Sequence, residues 1–373
     1  MKRVFLLTIV FIIFITSCKY SAEEYNIRGD KKCKNKDYES AIKYYTKAID
    51  KNPTFQKAYY NRGYLKMIIF KDFQGASDDF TKVLILNPKD TFSYFNRGNA
   101  KSELKKYNEA IDDYNKVLKL DSEFIDAYLQ RGIVKYVLMD YNDAMEDFNI
   151  ALKINPNFIE AYNNRGILKR EIKDYNGAME DFNKALKINN KSSQIYGSRG
   201  NLKYLLKDYN GALADYNQAI EINPNDTLVY NNRGNIKYFI INDYNGAIYD
   251  FNIYLKSGVK DAIAYNNRGS AKQILKDYVG ALEDFNNAIK INPFLAEAYA
   301  NIANTKIGLL DFNEAIYYFT KAIEINPKYS EAYRRRGLVK INIRQNESGC
   351  LDLHIAKELG NNDVDDVIKQ YCK

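Results

Sequence analysis

A small residue recurs along the chain at an almost constant interval. It is glycine at nine positions and alanine at one, and successive positions are 34 or 35 residues apart. These landmark positions are Gly29, Gly63, Gly98, Gly132, Gly166, Gly200, Gly234, Gly269, Ala303 and Gly337. Other residues keep fixed offsets from the landmark, as Ala144, Phe148, Ala151 and Pro156 do from Gly132 in the fourth copy. A fixed period of this size indicates stacked copies of one structural unit, without a single central core.

Each copy has the pattern of two antiparallel helices. In the fourth copy we expect a first helix over residues 125–138, a turn at residues 140–142 and a second helix to about Ile154. Pro156 ends the second helix, because proline cannot continue a helix and disfavours helix at the residue before it. Glycine inside a helix costs about 1 kcal/mol relative to alanine. Its recurrence at Gly132 and the equivalent positions therefore predicts that the partner helix approaches closely there.

The small residues, the aromatic residue between them and the late proline resemble the tetratricopeptide repeat (TPR). The resemblance implies an all-α fold, a right-handed superhelical solenoid of about ten helix-turn-helix repeats over residues 21–360. It also implies a non-catalytic scaffold that binds a protein or peptide. Residues 361–373 are expected to form a capping helix, because Val364, Val367, Ile368 and Tyr371 make one apolar stripe.

The first residues have the pattern of an export signal. Lys2 and Arg3 precede an apolar stretch over residues 4–15, which is short for a membrane-spanning helix. Residues 15–18 resemble the bacterial lipobox, which implies a signal peptide over residues 1–17, a covalent lipid on Cys18 and a short tether over residues 18–20. An ordinary signal peptide or an uncleaved anchor is the alternative. We therefore expect a membrane-anchored lipoprotein of the bacterial cell envelope, with neither membrane favoured.

Composition argues against several function classes. The chain has one histidine, His354, so it offers no histidine cluster for zinc and a weak basis for a histidine-dependent nucleophile. No glycine-rich phosphate loop occurs. The net charge of +8 is spread evenly, which gives no basic arm for nucleic acid. We expect no enzymatic activity, no metal and no cofactor apart from the lipid; an enzyme in the groove that uses a pair of the many carboxylates is a weaker alternative.

Charged residues also recur in register with the landmark. An arginine precedes it in nine copies, and an aspartate occupies a fixed place in the second helix of eight. The ninth copy has Ile302 and Tyr318 in these two places. This joint loss favours an Arg–Asp bridge within most repeats. A lysine follows the landmark by three residues in every copy, and we expect it to be solvated, with its aliphatic stem on the surface.

Two cysteines lie near the C-terminus. Cys350 is in the last second helix, and Cys372 ends the predicted capping helix. Disulfides persist in exported proteins, so a Cys350–Cys372 bond is one hypothesis. Two reduced, packed thiols are the other.

The resemblance places the first helices along a concave groove, where asparagine and tyrosine dominate. The predicted ligand-binding residues are Asn99, Tyr136, Arg170, Asn201, Tyr204, Asn231, Asn235 and Tyr238. A wider set of groove residues includes Asn96, Gln130, Asn163, Asn266 and Gln273. The asparagine amide can form hydrogen bonds with both the C=O and the N–H groups of an extended peptide backbone, and tyrosine gives a large contact area. A peptide or protein is the expected partner, and an envelope glycan such as peptidoglycan is the alternative. The tyrosines could instead pack between adjacent first helices.

Overall fold

The computed structural model of the protein describes residues 20–372. Within that range it contains twenty-one α-helices, one short 3-10 helix and no strand. The chain divides into two compact units, whose described parts are residues 20–189 and 190–372. The predicted signal peptide and Cys18 lie outside the described residues. None of the helices between residues 20 and 372 combines the length and the apolar character that crossing a membrane requires.

The first unit consists of five helical hairpins. Their helices are α1 (Ala22–Lys34), α2 (Tyr38–Lys51), α3 (Gln56–Ile68), α4 (Phe73–Leu86), α5 (Thr91–Glu103), α6 (Tyr107–Leu120), α7 (Ile125–Val137), α8 (Tyr141–Ile154), α9 (Ile159–Glu171) and α10 (Tyr175–Ile188). Odd-numbered helices are the first helices of their hairpins. The helices of the fourth copy, α7 and α8, confirm the predicted pair, although α8 begins at Tyr141, two residues earlier than the predicted turn at residues 140–142 allows.

The second unit repeats the same plan and adds a C-terminal segment. Its helices are α11 (Ser193–Leu205), α12 (Tyr209–Ile222), α13 (Thr227–Phe239), α14 (Tyr244–Lys256), α15 (Ala262–Ile274), α16 (Tyr278–Ile291), α17 (Ala296–Gly308), α18 (Phe312–Ile325), α19 (Ser330–Asn342), α20 (Asn346–Glu358) and α21 (Asp365–Tyr371). The 3-10 helix Asn362–Val364 precedes α21. The all-α repeat fold is therefore confirmed. The two units divide the region over residues 21–360 that is predicted as one solenoid.

The landmark glycine is where the two helices of a hairpin meet. A Cβ atom at Gly132 would lie 2.7 Å from Cε1 of Phe148, which is too close for any side chain to fit without movement of the ring. Phe148 is 1% exposed, and Ala144 and Ala151 are fully buried. The predicted close approach is confirmed, and it explains why a helix-destabilising residue recurs at this position.

Each hairpin turn contains one non-glycine residue in left-handed backbone, and most of the turns are followed by a capping aspartate. In the fifth hairpin Lys173 has a φ of 66°, which reverses the chain after α9. Asp174 then accepts a hydrogen bond from the backbone N–H of Gly177 at 3.0 Å and so caps α10. Left-handed backbone costs a non-glycine residue roughly 1–2 kcal/mol. Packing of the two helices must supply that energy in every hairpin.

A buried aspartate holds an arginine and a lysine in eight of the described hairpins. In the fifth, Arg165 Nη2 lies 2.7 Å from Asp181 Oδ1, and Lys169 Nζ lies 2.9 Å from Asp181 Oδ2. The Asp181 side chain is 1% exposed. The eight Arg–Asp–Lys sets are Arg62–Asp79–Lys66, Arg97–Asp113–Lys101, Arg131–Asp147–Lys135, Arg165–Asp181–Lys169, Arg199–Asp215–Lys203, Arg233–Asp250–Lys237, Arg268–Asp284–Lys272 and Arg336–Asp352–Lys340.

These contacts confirm the predicted Arg–Asp bridges and correct the expectation for lysine. The prediction that this lysine is solvated is wrong. Lys169 Nζ contacts the second carboxylate oxygen of Asp181 and also donates to the carbonyl of Gly177 at 3.4 Å. The arginine has a further role between hairpins. Arg165 Nη1 donates to Oδ1 of Asn149, in the second helix of the preceding hairpin, at 2.7 Å. One side chain thus joins its own hairpin and the hairpin before it.

The C-terminal segment packs on the last hairpin. Val364 is buried, and Val367 and Ile368 contact the cluster around Leu353. Tyr371, the last residue of the predicted apolar stripe, is exposed. Cys350 and Cys372 form a disulfide, with their Cα atoms 5.4 Å apart. This bond joins α20 to the residue that follows α21.

Candidate functional site

Successive first helices of the second unit are joined by side-chain amides. Nδ2 of Asn232 donates to Oδ1 of Asn201 at 2.9 Å, which links α13 to α11. The same type of bond links α15 to α13 at 3.2 Å and α17 to α15 at 2.9 Å. We call this surface the amide face; its asparagines are Asn201, Asn232, Asn235, Asn266, Asn267 and Asn301.

The amide face uses part of its hydrogen-bonding capacity internally. Oδ1 of Asn201 accepts from Asn232 and also from the hydroxyl of Tyr216 at 2.7 Å. Asn231, on α13 but outside this face, has a buried Oδ1 with no hydrogen-bond partner in the described part of the chain, where a ligand at the surface does not reach it. Because an amide has two donor hydrogens and two acceptor lone pairs, the face retains groups that a ligand could bond.

The predicted tyrosines of the second unit differ in exposure. Tyr204 is 40% exposed, and its ring meets Tyr209, the first residue of α12, at 5.6 Å. The ring of Tyr238 lies 5.9 Å from that of Tyr244 and is more enclosed. Burial raises the pKa of Tyr238, and its hydrogen bond with Ser270 of α15 opposes this rise. Tyr238 therefore packs against its surroundings, whereas Tyr204 presents a free ring surface.

The amide face carries no charge over four helices. In α11, α13, α15 and α17, no charged side chain occurs three or two residues before the landmark, or one or four residues after it. Charge begins in α19, where Arg334 and Arg335 donate to Glu331 at 2.7 and 2.6 Å. The Arg334 guanidinium, with help from Arg335, lowers the pKa of Glu331 to about 2.

The other three predicted ligand-binding residues belong to the first unit. Oδ1 of Asn99 accepts a hydrogen bond from the hydroxyl of Tyr114 at 2.8 Å. Tyr136 packs on Tyr141 at 5.8 Å, and burial raises its pKa. Nη2 of Arg170 lies 3.8 Å from a carboxylate oxygen of the adjacent Glu171. Each of these side chains is thus partly engaged within its own hairpin.

Two residues of the wider predicted set do not face solvent. Asn96 is buried and donates to the hydroxyl of Tyr60 at 3.0 Å. Asn163 is 2% exposed, and neither atom of its amide group has a hydrogen-bond partner in the described structure. The expectation that both line the groove is wrong, because both side chains are buried.

A cavity of about 410 Å³ lies on the first-helix side of the first unit. It lies among α3, α5 and α7, with Met67, Asn99, Ser102 and Gln130 among its lining residues. None of the predictions made from the sequence includes this cavity. The sequence feature that could have indicated the cavity is Ser102, a small residue four places after the landmark, where three other copies carry tyrosine.

No cluster of histidine, cysteine, aspartate and glutamate suited to a metal ion occurs among residues 20–372. His354 is exposed on α20. The buried ionic groups are instead spread along the chain, with one Arg–Asp–Lys set in each of eight described hairpins.

Family models match this hairpin pattern directly. The tetratricopeptide repeat model matches residues 92–124, 262–295 and 296–329, a second model of that description matches residues 34–55 and 159–192, and a TPR repeat model matches residues 200–239. The chain belongs to the tetratricopeptide repeat family. TPR proteins are typically non-catalytic scaffolds that bind peptides or proteins. No curated protein sequence matches this TPR chain.

Solved structures agree on the fold. A TPR protein from Parabacteroides merdae is 22% identical with a TM-score of 0.50, over 67% of this chain and 98% of that one. PilF of Pseudomonas aeruginosa is 18% identical with a TM-score of 0.52, over 57% of this chain and 97% of that one. The C-terminal part of a TPR protein from Cytophaga hutchinsonii is 18% identical with a TM-score of 0.52, over 64% and 98%. Such likeness supports the TPR fold alone.

Proposed function

We propose that the chain is a lipid-anchored TPR scaffold of the bacterial envelope that binds a protein or peptide partner on its first-helix surfaces. The observation that carries this proposal is the amide face of the second unit. It combines side chains that donate and accept hydrogen bonds, an exposed tyrosine and the absence of charge. A surface of this kind suits an extended, uncharged peptide segment, whose backbone needs one donor and one acceptor for each residue.

Tyr204 is the residue best placed to contribute binding energy. Its ring is exposed and is held at one side by Tyr209, so little side-chain entropy is lost when a ligand contacts it. Tyrosine is also enriched among residues whose truncation costs about 2 kcal/mol or more at an interface. Asn201 lies on the same helix and supplies hydrogen bonding beside it.

The lipid anchor is proposed from the resemblance around Cys18 and from where the fold begins. Ser21 and Glu24 form a reciprocal capping box, with hydrogen bonds of 2.6 and 3.1 Å, so α1 starts at Ala22. Few residues therefore separate Cys18 from the first folded helix. A lipid on Cys18 would hold the first unit close to the membrane surface.

Site-specific photocrosslinking in intact cells tests the binding surface. A photoreactive phenylalanine analogue at Tyr204 should form discrete protein adducts. Tyr249 is the matched control, because it is an exposed tyrosine of the same unit on the second helix α14. Equal adducts from both positions, or none from Tyr204, would refute a partner site on the amide face. Retention of the purified chain on peptidoglycan, without protein adducts, would favour the glycan alternative.

A further inference from the structure

A small side chain lines the cavity of the first unit at a place where three other hairpins carry a tyrosine ring. In the fourth hairpin Tyr136 occupies the place four residues after the landmark and packs on Tyr141. The third hairpin has Tyr107 in the place of Tyr141 but Ser102 in the place of Tyr136. Tyrosine at this place would add a phenol ring, whereas Ser102 lines a cavity of about 410 Å³ together with Phe73 and Tyr114.

The cavity has one apolar side and one polar side. Met67 and Phe73 line the apolar side, and Met67 is buried. Asn99 and Gln130 line the polar side. Because Oδ1 of Asn99 already accepts from the hydroxyl of Tyr114, its Nδ2 group is the part left to donate. Gln130 can donate and accept, so the two amides match the C=O and N–H groups of a peptide backbone.

Charge is confined to the edge of the cavity. Lys71 and Glu103 line it and are both exposed, so both charged groups stay in contact with water. A charged side chain that entered would lose hydration without gaining a buried ion pair, which is unfavourable. An uncharged apolar side chain would gain by burial against Met67 and Phe73. The volume lies in the range of ordinary ligand pockets.

We propose that this cavity binds one uncharged side chain of leucine or phenylalanine size from an extended peptide, whose backbone is held by Asn99 and Gln130. The inference rests on the proposed function, because it treats a first-helix surface as a peptide site. It concerns a different unit from the amide face and can therefore fail by itself.

The test is a titration of the intact protein with five capped peptides, acetyl-Gly-Ser-X-Ser-Gly-amide, in which X is leucine, phenylalanine, glycine, lysine or glutamate. The protein is labelled at its methionine methyl groups, and the Met67 NMR signal reports on the cavity. The leucine and phenylalanine peptides should shift this signal saturably. The other three should bind about tenfold more weakly or worse, since they lack a buried apolar side chain or bring a charge.

Two variants at one position complete the experiment. Ser102→Tyr restores the ring found in the fourth hairpin and should abolish the Met67 response. Ser102→Ala keeps the cavity open and should retain it. A Met67 response that ignores X, no saturable response, or an unchanged response in Ser102→Tyr would overturn the inference. Partner crosslinking from Tyr204 is read separately, so loss of those adducts would refute the proposed function, and their persistence without a Met67 response would refute only the cavity.

Discussion

The buried Arg–Asp–Lys set of the fourth hairpin gives a quantitative prediction. The Asp147 side chain is 1% exposed and lies 2.5 Å from Arg131 Nη2 and 2.9 Å from Lys135 Nζ. Asp147→Asn keeps the shape and removes the charge, which leaves two partly buried cations without their shared anion. Breaking a buried pair in this way typically costs about 3–5 kcal/mol. Lys135 has a second anion, Asp143, at 3.8 Å, so we expect the lower end, about 3 kcal/mol.

The ninth hairpin supplies a matched control for this prediction. It has Ile302, which is 1% exposed, and Tyr318 where the fourth hairpin has the arginine and the aspartate. Its lysine, Lys306, binds Glu314, which stands at the same offset as Asp143. The double variant Arg131→Ile with Asp147→Tyr copies this arrangement. Since apolar replacement of a buried ion pair is often neutral, we expect a change within about 1 kcal/mol.

Amide hydrogen exchange in α7 and α8 is the appropriate assay. Repeat proteins open locally, so a single melting temperature does not isolate one hairpin. Exchange gives the opening free energy of these two helices directly. The reasoning fails if Asp147→Asn lowers that free energy by less than about 1 kcal/mol, or if the double variant is as damaging as the single one.

Three further predictions concern the ends of the chain. Cys18→Ser should leave an unprocessed, lipid-free precursor; a normally cleaved, lipid-labelled mutant would contradict the anchor. Freshly isolated protein should have no alkylatable thiol at Cys350 or Cys372, and two free thiols in the wild-type protein would contradict the bond. Cys372→Ser should lower stability by about 3 kcal/mol for a loop of this length. Hydrogen exchange in α21 measures this loss. Because the pKa of Glu331 is lowered from 4.5 to about 2, its contribution is complete above pH 4.5 and is lost as pH falls toward 2. Exchange in α19 should therefore rise on acidification, and Glu331→Gln should remove this response.

The internal repeats explain why most of the fold could be predicted. The helix pairs follow from the landmark period, and the Arg–Asp bridges follow from residues that occur together and are lost together in the ninth copy. The lysine recurs in the same register, but its position in the sequence predicts only a solvated side chain. Its contact depends on the second oxygen of the buried carboxylate, as at Asp181, and residue spacing does not indicate that this oxygen needs a donor.

The candidate site was less predictable, because its contacts join different copies. The sequence predicts Asn201 and Asn235 as ligand-binding residues, but it does not predict their bonds to Asn232 and Asn267, which depend on how one first helix stacks on the next. The cavity beside Ser102 is a different kind of feature, since a small side chain lines it where three other copies carry tyrosine. Recurring residue types in a sequence do not indicate where a cavity lies.

The contacts that hold the fold and the two proposed binding sites occupy different positions of the repeat, and this separation can be tested. Positions that are nearly constant among copies, such as the landmark and the aspartate, are buried and hold the hairpins together. Positions that vary among copies, such as the one occupied by Ser102, Tyr136 and Tyr204, differ in exposure and in the shape they leave. A substitution at a constant position should therefore reduce stability and disturb binding only through unfolding. Ser102→Tyr should do the reverse, because the fourth hairpin already accommodates that ring.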